Sequence, residues 1–267
     1  MTLLVDTTYI GLEHSDDWLT VWFNQPERRN PLTDDVVKAL LQVCEALKDN
    51  TSIRGLTIRG RGGFFCAGGD LRGFQAMADG EPAGAIATSI QIGQLLAQLN
   101  TLPQVTIALL EGAAMAGGLG LACCCDVTIG TADTRFAFTE TSIGISPAQI
   151  ARFVLQKCGY ATGRRLMLTA ARFKGDAAKA LGILDQVVAD GSALDDAELV
   201  IRRDVLACAP GAVAATKTLI TELVAIPDAE KVAFAADNFT RCLQSDEGAE
   251  GVASFLEKRK PWWNKER

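Results

Sequence analysis

Apolar and polar positions alternate through residues 1–24 on either side of a His14-Ser15-Asp16-Asp17 run, which predicts a β-hairpin with 18–23 as its second strand. After the loop NQPERRNPL, Thr33 is placed to cap a helix with Asp34 and Asp35 in its first turn. Val36, Val37, Leu40, Leu41, Cys44 and Leu47 then recur at helical spacing and predict one buried face. A short strand is expected over 53–59, followed by the loop RGGFFCAGGDL and a helical region over 84–100. Residues 105–110 are continuously apolar and predict a buried strand. Glu111-Gly112 turns that strand into AAMAGGLGLACCCD, read as helical after its glycines. Short strands are expected over 127–129 and 135–138, and helices over 148–158, 160–169, 175–182, 193–207, 210–223 and 228–244. Helix, short strand and glycine-rich turn recur through the first two thirds, which predicts an α/β fold with a helical C-terminal part. The chain has neither an exact internal repeat nor a low-complexity linker.

The chain has 267 residues, 48% hydrophobic and 22% charged, enough for one large domain with a full core or for a domain plus a smaller appendage. Its opening residues carry no basic stretch leading into an apolar one, and no apolar run reaches the ~18 residues of a membrane span. Neither a secretory signal nor a membrane anchor is expected. Eight cysteines include no CxxC pair, and Cys123, Cys124 and Cys125 are consecutive within an apolar run. They read as small core residues in a reducing, cytoplasmic compartment, with no metal site. A net charge of −6 argues against a nucleic-acid partner. Arg28-Arg29 and Lys258-Arg259-Lys260 are local basic clusters, which taken alone read as solvated faces.

The single histidine, His14, sits in the expected hairpin turn, so a base in this protein is expected to be a carboxylate. Three segments carry candidate chemistry. Phe64-Phe65-Cys66-Ala67-Gly68-Gly69-Asp70-Leu71-Arg72 places two glycines after a strand, where backbone can approach a ligand closely. Ala116-Gly117-Gly118-Leu119-Gly120 follows a strand and opens a helix, whose free N–H groups suit negative charge. It lacks the GK[ST] of a nucleotide-phosphate loop. Phe138-Thr139-Glu140-Thr141 puts a glutamate at a strand end beside apolar residues, where a raised pKa suits proton transfer. Each segment has a plain alternative: a tight turn, close helix–strand packing, an exposed loop acid. Together they describe two backbone donors for one oxygen, followed by a carboxylate, an assembly suited to a carbonyl that becomes an enolate.

FFCAGGDL, AMAGGLGLACCCD and RFAFTETSIGI occur in the order and spacing of the crotonase (enoyl-CoA hydratase/isomerase) superfamily, which the chain resembles. ALGILDQVV at 180–188 and FLEKRKPWW near the C-terminus extend the resemblance over nearly the whole chain. It implies a spiral of ββα units over 1–200 and a helical C-terminal trimerisation region over 201–267. It also implies that the oxyanion N–H groups belong to Gly69 and Gly117, and that the catalytic acid is Glu140. Coenzyme A contacts fall on Arg28, Ala67, Asp70, Leu71 and Arg72, with Phe255 and Lys258 or Lys260 reaching a neighbouring subunit's coenzyme A. No tightly bound cofactor is implied, since coenzyme A arrives as part of the substrate. The implied assembly is a homotrimer or a dimer of trimers.

One departure matters. Members with two glutamates carry the first of them in the helix after the glycine loop, where this chain has Gly120. A single carboxylate can serve hydration or double-bond migration. SIGISPAQIARFV, together with Gly120, resembles bacterial hydratases of 3-substituted glutaconyl-CoA, either methylglutaconyl- or isohexenylglutaconyl-CoA. Hydration is therefore the leading expectation, isomerisation the alternative, and a noncatalytic coenzyme A-binding protein the third reading. A second substrate carboxylate would want a cation, for which Arg152 is a candidate.

Overall fold

Asp16 and Asp17 turn β1 (Ile10–Ser15) back into β2 (Trp18–Phe23), with Asp16 at φ +52°. The computed structural model describes residues 6–264, and the backbone alone of Leu71. Thr33 caps α1 (Asp34–Leu47), its hydroxyl accepting from the Val36 amide, and Val36, Val37, Leu40, Cys44 and Leu47 are buried along one face. The chain continues through β3 (Gly55–Gly60), α2 (Leu71–Asp79), α3 (Pro82–Thr101) and β4 (Val105–Leu110). Then come β5 (Ala113–Met115), α4 (Ala116–Cys123), β6 (Val127–Thr131) and β7 (Arg135–Ala137). α5 (Ala151–Cys158), α6 (Tyr160–Thr169), β8 (Phe173–Lys174), α7 (Gly175–Ala180) and β9 (Gln186–Val188) follow. Last are α8 (Ser192–Leu206), α9 (Pro210–Leu223), α10 (Asp228–Leu243) and α11 (Asp246–Leu256).

The larger sheet has the order β1-β2-β3-β4-β6-β9, antiparallel at the hairpin and parallel from β2 onward. Its middle strands are covered on both faces, which explains their nearly unbroken apolar sequence. The two-residue period of a strand divides the core. Leu19, Val21, Leu56, Ile58, Ala108 and Leu110 face the main core with α1, α3 and α4, while Trp18, Ile107, Leu109 and Ile129 face Leu194 and Ala197 of α8. The α8 side also buries polar groups. The Trp18 indole donates to Thr57 Oγ1 at 2.9 Å, and the Thr57 hydroxyl donates to the buried Glu198, which Arg202 approaches at 3.7 Å.

The second sheet, β5-β7-β8, is where the ββα spiral becomes visible. β4 leads into β5 and then α4; β6 leads into β7 and then, past a 3-10 turn, α5. Cys66 forms a parallel bridge to Ala114, so the stretch after β3 joins the same sheet before α2 begins. Each turn of the spiral therefore sends one strand to each sheet and then a helix.

Several elements differ from their expected form. α4 begins at Ala116, ahead of its glycines, because the preceding three residues are taken by β5. α2 forms between the expected loop, which ends at Leu71, and the helix expected from 84, over residues given no expected element; Asp70 caps it, its carboxylate accepting from the Arg72 amide. α11 forms despite two internal glycines, starting from the Ser245 cap. Residue 200 lies within α8, so that helix spans the division expected there. The C-terminal helices cover little: α9 has no buried residue, and Val232, Phe239, Phe255 and Leu256 are exposed.

Candidate active site

Three parallel stretches end side by side. Cys66 is bridged to Ala114, and Ala114 is paired with Phe136 in the parallel β5–β7 ladder. Gly69, Gly117 and Glu140 each follow their member of this row by a few residues, so all three sit at the C-terminal edge of one small sheet. Neighbouring strands lie about 4.8 Å apart, so the row Cys66–Ala114–Phe136 from which the three depart is about 10 Å across.

The two glycine segments meet directly. A Cβ on Gly68 would lie 3.2 Å from the Ala116 Cβ and 3.2 Å from the Met115 carbonyl oxygen. Gly68 takes φ +102°, and Ala116 takes φ +47°, a left-handed conformation that costs a residue with a side chain. Leu32 lies beneath both segments. Its amide donates to the Gly68 carbonyl at 2.8 Å, it bridges Gly69, and its Cδ2 lies 3.6 Å from where a Cβ on Gly117 would sit. The Ala67 amide donates to Arg29 at 2.9 Å. Gly117 lies in the first turn of α4, where N–H groups have no partner within the helix. A Cβ at residue 69 would lie 2.4 Å from the Phe74 Cζ, so a side chain there must displace either that ring or the backbone.

Glu140 opens the 3-10 turn Glu140–Ile143 after β7 and is 7% exposed. Its Oε2 is buried and has no hydrogen-bond partner among the described residues. Burial raises its pKa above the ordinary glutamate range, offset in part by a contact with its own backbone amide. A carboxyl kept buried and unsatisfied costs stability, and such groups collect where a protein uses them.

Arg28 pairs with Asp70 at 3.3 Å, and Ala67 and Arg72 are exposed around the same turn. Four of the five expected coenzyme A contacts are thus gathered beside Gly69; Leu71 opens α2, and its side chain lies outside the described residues. Phe255 lies on α11 and Lys258 and Lys260 just after it, in a helix that packs against α9 and α10. Arg152 is exposed on α5 with its guanidinium 4.3 Å from the centroid of the neighbouring Phe153 ring. His14 lies exposed on β1, away from the row. Cys123, Cys124 and Cys125 are buried and free, and burial pushes the Cys125 thiol up to about 12. Among the described residues no group of three or more His, Cys, Asp or Glu is gathered as metal ligands would be.

Sequence reasoning missed the left-handed backbone of Ala116, the first residue of α4, and Leu32, which supports both glycine segments. A non-glycine positive φ has no sequence signature, and Leu32 looks like any core leucine.

A ββα spiral whose small sheet ends in two apposed glycine turns and a buried carboxyl is the architecture of crotonase-like enzymes. The model of the enoyl-CoA hydratase/isomerase family matches residues 14–266, and the chain belongs to that family. It is 31% identical to mouse mitochondrial enoyl-CoA hydratase domain-containing protein 2 over 90% of this chain and 82% of that one. It is 28% identical to rat mitochondrial methylglutaconyl-CoA hydratase, over 89% and 76%. Among solved structures, Pseudomonas aeruginosa AtuE superposes with a TM-score of 0.93 at 39% identity, over 96% of this chain and all of the other (100%). The protein is an enzyme of the hydratase/isomerase class. No helix among the described residues is long and apolar enough to cross a membrane.

Proposed function

We propose that the protein adds water to the double bond of an enoyl-CoA, with a 3-substituted glutaconyl-CoA (methyl- or isohexenylglutaconyl-CoA) as its substrate. The observation that carries this reading is the buried Glu140 carboxyl, whose Oε2 has no hydrogen-bond partner among the described residues, beyond the same row of strands as the apposed glycine turns. In this reading the Gly69 and Gly117 amides donate to the thioester oxygen. The Glu140 carboxylate takes a proton from water, whose oxygen bonds to C3. The C2–C3 π pair moves toward the thioester, and negative charge collects on the oxygen held by the two amides. The enolate then collapses as Glu140 returns the proton to C2. One carboxylate suffices, because the proton it removes is the one it gives back.

Coenzyme A enters as part of the substrate, and no resident cofactor is required. Its phosphates would meet Arg28 and Arg72 near the Gly69 turn, where guanidinium groups make strong charge-assisted bonds. Phe255, Lys258 and Lys260 would serve the site of an adjacent subunit in a trimer or dimer of trimers. The exposed apolar faces of the C-terminal helices and a hollow of about 780 Å³ between α9, α10 and α11 support such an assembly. The free cysteines are in keeping with a cytoplasmic setting.

The same carboxylate could take a proton from C2 of a 3-enoyl-CoA and return it at C4, and the absence of a side chain at Gly120 keeps this isomerase reading as the second one. Absorbance of the conjugated enoyl thioester separates the readings. Methylglutaconyl-, isohexenylglutaconyl-, crotonyl- and a 3-enoyl-CoA are offered in turn. Hydration lowers the absorbance with a glutaconyl thioester, and isomerisation raises it with the 3-enoyl thioester. No change with any of them would identify a noncatalytic binder and overturn the proposal.

A further inference from the structure

The segment that leaves Glu140 makes a wide exposed excursion before it re-enters the fold. Residues 141–146 are exposed, and their turn closes on itself, the Gly144 amide donating to Thr141 and the Ile145 amide to Glu140. Such a loop cannot by itself fix where a carboxyl stands. Two attachments do. On the near side, the Thr141 hydroxyl donates to the Met167 carbonyl of α6 at 2.9 Å. On the far side, Gln149 and Ile150 are each seated against a glycine of a different helix.

The Gln149 side-chain amide lies where a Cβ on Gly93 of α3 would be, and its Nε2 donates to Ser89 Oγ at 2.9 Å. Ile150, 3% exposed, fills the space beside Gly120 so fully that a Cβ there would collide with the Ile150 Cβ and Cγ2. Gly120 stands one helical turn beyond Gly117. A helix turn is rigid, so the Ile150 contact sets how far the 140–150 segment stands from the start of α4.

We propose that Ile150, locked against Gly120, is a positioning residue that holds the Glu140 segment in register with the Gly117 end of α4. This rests on the reading that Glu140 and the Gly117 amide act on one thioester. The glycine at residue 120 then has a cause in this chain: it is the socket for Ile150. Misplacement of a reacting group by about 1 Å can cost a hundredfold in rate, so the contact acts on turnover more than on binding.

The test is a compensation experiment with Gly120→Ala, Ile150→Ala and the double variant, assayed on the best-turned-over enoyl-CoA with Glu140→Gln in parallel. Gly120→Ala should push Ile150 away and lower kcat at least tenfold with KM within threefold. Ile150→Ala should lower kcat by a similar factor. The double variant, in which the new methyl group refills the socket, should recover most of the loss. Multiplying losses, or wild-type kcat in both folded single variants, would overturn the proposal. If circular dichroism shows Gly120→Ala unfolded, the kcat-against-KM split of Ile150→Ala decides the matter in the same sense. Full activity in Glu140→Gln would instead remove the functional reading itself, so the two failures are told apart.

Discussion

Gly68 and Ala116, each with a positive φ, lie against one another and so bring the chain into Gly69 and into Gly117 from the same point. A left-handed alanine is a cost that a fold bears at a place where backbone direction matters. Here it turns the end of β5 directly into α4, and the helix begins beside the other glycine turn.

Gly69→Ala should be severe although it adds one methyl group, because that group collides with the Phe74 ring. The proposed amide donor would be displaced, and loss of one such donor costs about 3–4 kcal/mol of transition-state stabilisation. Steady-state kinetics should show kcat reduced by ~10²–10³ with the fold intact by circular dichroism.

The rate should fall on the acid side at a pH above the ordinary glutamate value of 4.5, since burial raises the Glu140 pKa and a base acts only when ionised. A profile of kcat/KM against pH, which reports the free enzyme, checks this; an acid limb at or below 4.5 would contradict it.

The same shift has a stability counterpart. The folded protein binds the Glu140 proton more tightly than the unfolded chain does. The resulting stabilisation is present below the unfolded pKa and is lost as pH rises through the raised folded value. At neutral pH the ionised carboxylate therefore weakens the fold, and Glu140→Gln should raise Tm there. The gain should shrink as pH is lowered, which thermal unfolding at two pH values would show.

Thr57→Val should weaken the attachment of α8 without touching the candidate site. It removes the acceptor of the Trp18 indole and the donor to Glu198, both buried. A buried polar group left unpaired costs about 1–3 kcal/mol, which a lowered urea midpoint would report.

Charges placed on the exposed C-terminal face test the proposed assembly. Phe255 and Leu256 are 84% and 74% exposed, a large apolar area for a helix end. Phe255→Asp with Leu256→Asp should shift the sedimentation coefficient from that of a trimer or hexamer to that of a monomer.

Much of the fold was legible because helix and strand periods were clean. The Thr33 cap, the 105–110 strand, and the helices at 160–169 and 210–223 follow from spacing alone. What escaped was short or glycine-bearing. β5 has three residues, too few to show a period, and α11 carries two glycines that argue locally for a turn. Glu140, Gly69 and Gly117 could be singled out by residue type, but their meeting depends on the Cys66–Ala114–Phe136 row, a set of long-range pairings that no local pattern encodes. The role of Gly120 was equally hidden. In sequence it marks a missing acid, and in the structure it is a filled socket.

The central claim is that the Glu140 carboxylate moves the proton while backbone amides hold the thioester oxygen. Glu140→Gln keeps the shape of the side chain and removes the base. Turnover of the best enoyl-CoA substrate should fall by ~10²–10⁴, with acyl-CoA affinity by calorimetry unchanged within threefold. Wild-type turnover in this variant would contradict the account.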